Sequence, residues 1–347
     1  MRLQTETAAR RARTRQRASV VLPLVAMLAG VPVAVAVAEE LEHDAAYLPD
    51  LGGSLLTVQN PLGSVTVRGW DQPQIRIVAA KRAGSPSLLD RLKVQFVFLS
   101  DGRVQISTGF YLADRTFIPL PLSGAGIDLT IDAPRRMRVE ATTSGAIDAA
   151  GFRHGAQLSS QGGEIRVADM EGRVDTRTLD GRQWLQSIRG SLLATGVRGD
   201  MELSQVQGER VDASVNKGNI YARDVSAAQV RLRATVGTIV FVGALATGGR
   251  YQFATLNGDV RLSLHPAPFR LLARAPSVKN RFELGNAQAR AGIVSGEYAG
   301  RPADRAELRG AFASVPALEL VSAHGEVVLG PAESRPTAAR LGVVPER

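Results

Sequence analysis

One glycine per unit sets the spacing of this chain. Gly145, Gly163, Gly181, Gly199, Gly218, Gly237 and Gly258 follow at intervals of 18, 18, 18, 19, 19 and 21 residues. A second glycine stands nine residues later in three consecutive units, at Gly172, Gly190 and Gly208. The apolar residues keep the same register. Two and four residues after the turn glycine stand Ile147/Ala149, Ile165/Val167, Met201/Leu203, Ile220/Ala222, Ile239/Phe241 and Val260/Leu262. Seven residues after it stand Phe152, Met170, Ile188, Val206 and Val225, while Arg166, Glu202, Tyr221 and Arg261 fall between the apolar positions. Alternation of period two, bounded by glycine, is the pattern of short strands with one buried face.

A unit of 18–21 residues is too short for a helical pair or a propeller blade. At ~3.3 Å per extended residue it closes a circuit of ~60 Å, the perimeter of one solenoid coil. The fold class expected is therefore all-β, a single-stranded β-solenoid (β-helix) whose equivalent positions stack into ladders. Asp180-Gly181 and Asn257-Gly258 suit turns with positive φ. The phrase recurs early as Gly63, Val65, Val67 and Trp70, and late as Gly325, Val327 and Leu329. One unit misfits. Two residues after Gly181 stands Gln183, and Trp184 takes the outward place. The expected arrangement is a local slip or bulge that turns Trp184 inward. The alternative is an exposed indole of the kind that stacks on sugar rings.

Residues 54–330 read as one such domain, with regular coils over 139–264, an excursion over 286–316 and a closing coil over 317–330. Residues 54–80 and 286–330 are expected to cap the open strand edges at its ends. A leader over 39–53 precedes it, and a disordered tail over 331–347 follows. Residues 1–38 carry an address: Arg10, Arg11, Arg13, Arg15 and Arg17 precede an uncharged run over 18–38 that ends in Ala36-Val37-Ala38. Cleavage as a signal peptide is the expectation, with retention as an N-terminal membrane anchor the alternative. The Arg10-Arg11 pair lacks the hydrophobic residues that follow a twin-arginine signal. Export places the chain in the periplasm, on the outer surface or in the medium.

The chain has no Cys, which excludes disulfides, thiolate metal sites and cysteine catalysis. Of the net charge of +9, residues 1–38 supply +5 through six Arg and one Glu, leaving +4. Basic residues are scattered, and aromatics make up only 5% of the chain, a poor match to nucleic-acid binding. Mild attraction to anionic envelope polymers is compatible with this charge.

The stretch NPLGSVTVRGWDQPQIRIVAAKR, the middle IDLTIDAPRRMRVEATTSGAIDAAG, the tandem glycine units and the closing LELVSAHGEVVLG resemble the bacterial DUF4097 family of β-strand repeat proteins, known as putative adhesins. The resemblance covers about residues 54–330. It implies a β-solenoid in an exported or envelope-associated protein, and it supplies no catalytic residues.

No constellation of reactive side chains emerges from the sequence. The four histidines, His43, His154, His265 and His324, are far apart and out of phase, which disfavours a metal site. His324 reads as a turn residue. Asp148, Asp169, Asp200, Asp212, Asp224 and Asp259 are spread over several phases of the repeat. Asp169 and Asp224 share one phase, with Ser187 and Gln205 between them, but three coils separate them by ~14 Å, beyond the ~6.5–9.5 Å of an inverting pair. Ser144, Ser159, Ser160 and Thr142 sit beside turns, where hydroxyls satisfy the backbone, and no Ser nucleophile motif or phosphate loop is present. No cofactor is expected. The sequence thus points to a non-enzymatic envelope protein, an adhesin or scaffold that binds a polysaccharide or another envelope protein through a laddered face. Its candidate contact residues are Trp184, Arg166, Arg198, Arg223, Arg231, Arg233 and Arg261. The alternatives are a carbohydrate-active β-helix enzyme and an envelope-stress sensor.

Overall fold

The computed structural model describes residues 40–49, 54–99, 102–112, 116–119, 124–290, 292–298 and 315–332. The signal segment expected over 1–38, much of the excursion and most of the tail lie outside them. The chain divides into two compact units, residues up to Trp184 and residues from Leu185 onward. Both are built almost wholly of strand. Among the described residues no helix is long and apolar enough to cross a membrane.

The first unit contains β1 (Glu40–Pro49), β2 (Leu55–Asn60), β3 (Val65–Trp70), β4 (Gln74–Ala83), α1 (Pro86–Arg91), β5 (Leu92–Phe98), β6 (Val104–Tyr111), β7 (Phe117–Ile118), β8 (Ala125–Pro134), β9 (Arg138–Thr143), β10 (Ile147–Ala150), β11 (Ala156–Ser160), β12 (Ile165–Glu171) and β13 (Val174–Asp180). The boundary falls within β14 (Gln183–Arg189). The second unit continues with β15 (Leu192–Arg198), β16 (Met201–Lys217), β17 (Ile220–Val236), β18 (Ile239–Gly243), β19 (Arg250–Asn257), β20 (Val260–Leu264), β21 (Phe269–Arg274), β22 (Ser277–Asn280), β23 (Gly285–Arg290), β24 (Ile293–Tyr298), β25 (Ala317–Ser322) and β26 (Glu326–Pro331).

The glycine interval reappears as strand register. In the first unit Ile147 lies opposite Ile165 and Leu158 opposite Thr176, both in parallel ladders. In the second, Met201, Ile220, Ile239 and Val260 form one parallel column. The apolar residues two and four after the turn glycines are at most 3% exposed, and Phe152, Met170, Ile188, Val206 and Val225 are fully buried. At roughly 1.5–3 kcal/mol per buried large aliphatic side chain, these columns are the main source of stability.

Two devices turn the chain between strands. Gly237 has φ of 149°, and a Cβ on it would fall inside the carbonyl of Gly218 on the neighbouring strand. The sixth residue after the turn glycine makes a second corner. Asp169, and in the second unit Ser187, Gln205 and Asp224, have φ of 51–54°. Hydroxyls three residues before the glycine bind the rung behind: Ser160 Oγ donates to the Gly145 carbonyl at 2.7 Å, and Thr255 Oγ1 to that of Gly237 at 2.9 Å. Ser160 thus does what its position beside a turn suggests.

The misfit at Gln183 is resolved without a slip. Gln183 is 1% exposed, whereas Trp184 stays in the outward register at 37%. The expected bulge is therefore corrected. The buried carboxamide is satisfied from its own unit, because Thr176 Oγ1 donates to Gln183 Oε1 at 2.6 Å and Gln183 Nε2 donates to Thr178 Oγ1 at 3.1 Å. A partnered polar group can sit inside at little cost.

The ends of the units also depart from the sequence reading. β1 occupies most of the expected leader and pairs antiparallel with β4, Glu40 opposite Ala83. Residues 54–80 do not simply cap the first unit. β2 lies between β9 and β6, and β3 lies between β10 and β8. Beyond them, β4 runs antiparallel to β8 with β1 on its other side, and β5 runs antiparallel to β6. The second unit does the same. β25 is inserted between β19 and β21, and β26 between β20 and β22. The strands expected to close the array thus lie inside it, and the antiparallel pair β24 and β23 extends the sheet beyond β21.

Candidate functional site

The register of the second unit gathers side chains that the sequence scatters. On β16, β17 and β19, Val211, Val230 and Tyr251 point inward and are at most 1% exposed. Their neighbours point outward in three columns. One holds Arg210, Gln229, Arg250, Ala317 and Arg270. The second holds Asp212, Arg231, Gln252, Glu319 and Leu272, and the third holds Ser214, Arg233, Ala254, Val321 and Arg274. One face therefore carries arginines 210, 231, 233, 250, 270 and 274 against Asp212 and Glu319.

Part of this face is internally bonded. Asp212 receives Arg210 at 3.1 Å and Arg231 at 3.5 Å. Arg231 Nε donates to Gln252 Oε1 at 3.0 Å, and Gln252 Nε2 donates to Glu319 Oε2 at 3.0 Å. Glu297 on β24 stands opposite Arg270 in register. Among the described residues, Arg233, Arg250, Arg270 and Arg274 have no carboxylate within ion-pair distance, and all four are exposed. A depression of about 50 Å³ opens where Arg210, Arg231 and Arg250 meet Gln229 and Gln252, over a floor of Val211 and Val230.

The sequence candidates divide across several faces. Arg231 and Arg233 belong to the arginine face. Arg198 lies at its edge, in register with Lys217. Arg223, early on β17 in register with Ser204 and Val242, and Arg261, on β20 in register with Val240, lie outside the three columns, and Arg261 is held by Asp259 at 2.9 Å. Arg166 belongs to the first unit, where Glu164 pairs with it at 2.8 Å. Trp184 is exposed in the first unit. The glycines 145, 163, 181, 199, 218, 237 and 258 lie between strands. Arg210, Arg250, Arg270 and Arg274 were not singled out by sequence. The first two share a phase with Gln229 only when counted back from the next turn glycine: Arg210, Gln229 and Arg250 each stand eight residues before Gly218, Gly237 and Gly258. The last two follow the regular coils and are placed by the inserted β25.

The carboxylates have structural partners. Arg68 grips Asp148 with two bonds of 2.7 and 2.5 Å, and this hydrogen bonding raises the Arg68 pKa. Asp200 accepts the Asn219 N–H at 2.8 Å. Asp259 is held below the ordinary carboxylate range, chiefly by the Glu326 N–H and then by Arg261. Glu326 is lowered chiefly by Lys279. A glycosidase acid needs the opposite, a raised pKa. Asp169 and Asp224 are corner residues of different units. His154, His265 and His324 are exposed, and the described residues contain no group of three or more metal-ligating side chains.

No protein-family model matches the chain, and no curated protein does. Among solved structures, a "putative lipid binding protein" from Parabacteroides distasonis is 10% identical, over 84% of this chain and 97% of that one, with a TM-score of 0.47. A "putative adhesin" from Parabacteroides merdae is 10% identical over 84% and 96%, with a TM-score of 0.41. A "putative cell adhesion protein" from Clostridium sporogenes is 8% identical over 83% and 98%, with a TM-score of 0.26. Likenesses at this level assign no activity to the chain.

Proposed function

We propose that this chain is an exported, non-enzymatic β-solenoid protein of the DUF4097 type, directed by residues 1–38, which binds an acidic envelope polymer along the arginine face of its second unit. The observation that carries this reading is the set of exposed arginines 233, 250, 270 and 274, which share one face and have no ion-pair partner among the described residues. Unpaired surface guanidiniums attract anions, and their planar forks match carboxylate and phosphate oxygens. Neighbouring strands lie ~4.8 Å apart, so the first column presents an arginine on every second strand, at intervals of about 10 Å. Contacts that are weak singly then add through effective concentration.

The test is retention of the mature chain on isolated cell-wall and capsular polysaccharides over a salt series, with released sugar assayed in parallel. Retention that falls as salt rises, with no sugar released, is the expected result, since exposed charge contacts are screened. Replacing Arg233 and Arg274 by Glu lowers it further. Salt-insensitive retention would refute the arginine face as the contact surface, and released sugar would refute the non-enzymatic reading.

A further inference from the structure

We infer that the depression framed by Arg210, Arg231 and Arg250 is a seat for a phosphomonoester, a dianionic tetrahedral oxyanion borne on the polymer. This rests on the acidic-polymer reading and makes it specific. The three arginines come from three adjacent strands. Arg210 and Arg250 flank Gln229 in one column, and Arg231 stands two residues further along the middle strand. The floor, Val211 and Val230, is apolar and buried, so the seat is bounded on one side by low-dielectric material.

Charge and shape select the group. Arg210 and Arg231 share a single carboxylate, Asp212, and Arg250 has none within ion-pair distance. The seat therefore gathers three guanidiniums, with Asp212 between two of them and Glu319 at its rim beyond Gln252. Three guanidiniums around one seat favour a phosphomonoester, which carries about −1.5 to −2 at neutral pH, over the single charge of a uronate. A planar carboxylate is satisfied by one arginine fork, whereas three forks approaching from three strands suit an anion with three terminal oxygens. Asp212 acts here as a positioning residue, orienting two of the three guanidiniums.

The experiment uses the full chain and measures affinity at fixed ionic strength for three probes: inorganic phosphate, an oligosaccharide ending in a sugar phosphate, and the same oligosaccharide ending in a uronate. The phosphate-ended probe is expected to bind at least tenfold more tightly than the uronate-ended one. Arg250→Gln is expected to abolish that difference, while Arg233→Gln, outside the depression, weakens both probes alike. Both positions are exposed, and far-UV circular dichroism checks that each variant folds. Equal affinity for the two oligosaccharides, or an Arg250→Gln effect no larger than that of Arg233→Gln, overturns the phosphate seat and leaves the acidic-polymer reading standing. Binding of inorganic phosphate without the phosphate-ended probe supports the oxyanion seat and overturns its polymer source. Binding of no probe overturns the seat, and the acidic-polymer reading is then decided separately by the retention assay.

Discussion

Replacing Gly237 by Ala tests the turn-glycine column where the structure leaves least room. The residue has φ of 149°, in a region essentially reserved for glycine, and this costs a side chain about 1–3 kcal/mol. The new Cβ would also enter the carbonyl of Gly218. Neither partner can yield locally. Gly237 N–H donates to the Asn257 carbonyl at 2.9 Å, and its own carbonyl receives the Thr255 hydroxyl at 2.9 Å. Forcing extra volume into such packing costs a further ~1–3 kcal/mol. The sum, about 2–6 kcal/mol, is a large share of the ~5–15 kcal/mol that holds a typical domain together. The assay is urea unfolding, with Gly162→Ala as control. Gly162 has no positive φ, and a Cβ there meets only the Ser144 oxygen at 3.5 Å, an ordinary contact. With a slope of about 3 kcal/mol per molar urea, the Gly237 variant should unfold roughly 1–2 M earlier, and the control should stay within about 0.2 M of the parent. Equal midpoints for the two variants would refute the account of the turns.

Three further outcomes follow from the same geometry. Gln183→Leu should destabilise by about 1–3 kcal/mol, because it removes the carboxamide that bonds both Thr176 and Thr178 in the buried interior; a gain in stability would show that the Gln–Thr cluster is dispensable. In a Trp70→Phe background the remaining Trp184 should be readily quenched by iodide, and a blue-shifted, unquenched emission would contradict its exposure. Asp259 and Glu326 have folded pKa values below their ordinary ones, so their contribution to stability is present above the normal carboxylate range near pH 4 and is lost as pH falls through the lowered values. Melting temperature should therefore drop below about pH 4, and less steeply for Asp259→Asn; parallel profiles would count against this assignment.

The repeat was legible because strand register copies the glycine interval directly: the offset of 18 between Gly145 and Gly163 is the offset between Ile147 and Ile165. The insertion of β25 and β26 was not legible. Periodicity tells which residues share a column, but not where along the column a returning strand enters. Gln183 misled because a polar residue at an inward position reads as a slip when its partners, Thr176 and Thr178, are not yet known to face it. The corner column shows a signal present but misread. Asp169, Ser187, Gln205 and Asp224 share a phase in the sequence, where Asp169 and Asp224 read as carboxylates too far apart to pair, yet what unites all four is a positive φ. The arginine face was half visible. Phases of the repeat predict that Arg231 and Arg233 lie together, and only the inserted strand brings Arg270 and Arg274 beside them.

That inserted strand also decides how the second unit yields to a mechanical load. A terminal rung would peel away from one neighbour, a few bonds at a time. β25 is paired on both sides, Ala317 with Arg250 and with Arg270, and β26 likewise, Val327 with Val260 and with Val278. Tension applied behind Pro331 must break two parallel ladders together before this rung comes free. At the other end of the described chain, tension on Glu40 meets β1, whose pairing is with β4. The chain is thus expected to hold more firmly when pulled from behind its last rung than from its first strand, a difference that single-molecule pulling from each terminus would measure as unequal rupture forces.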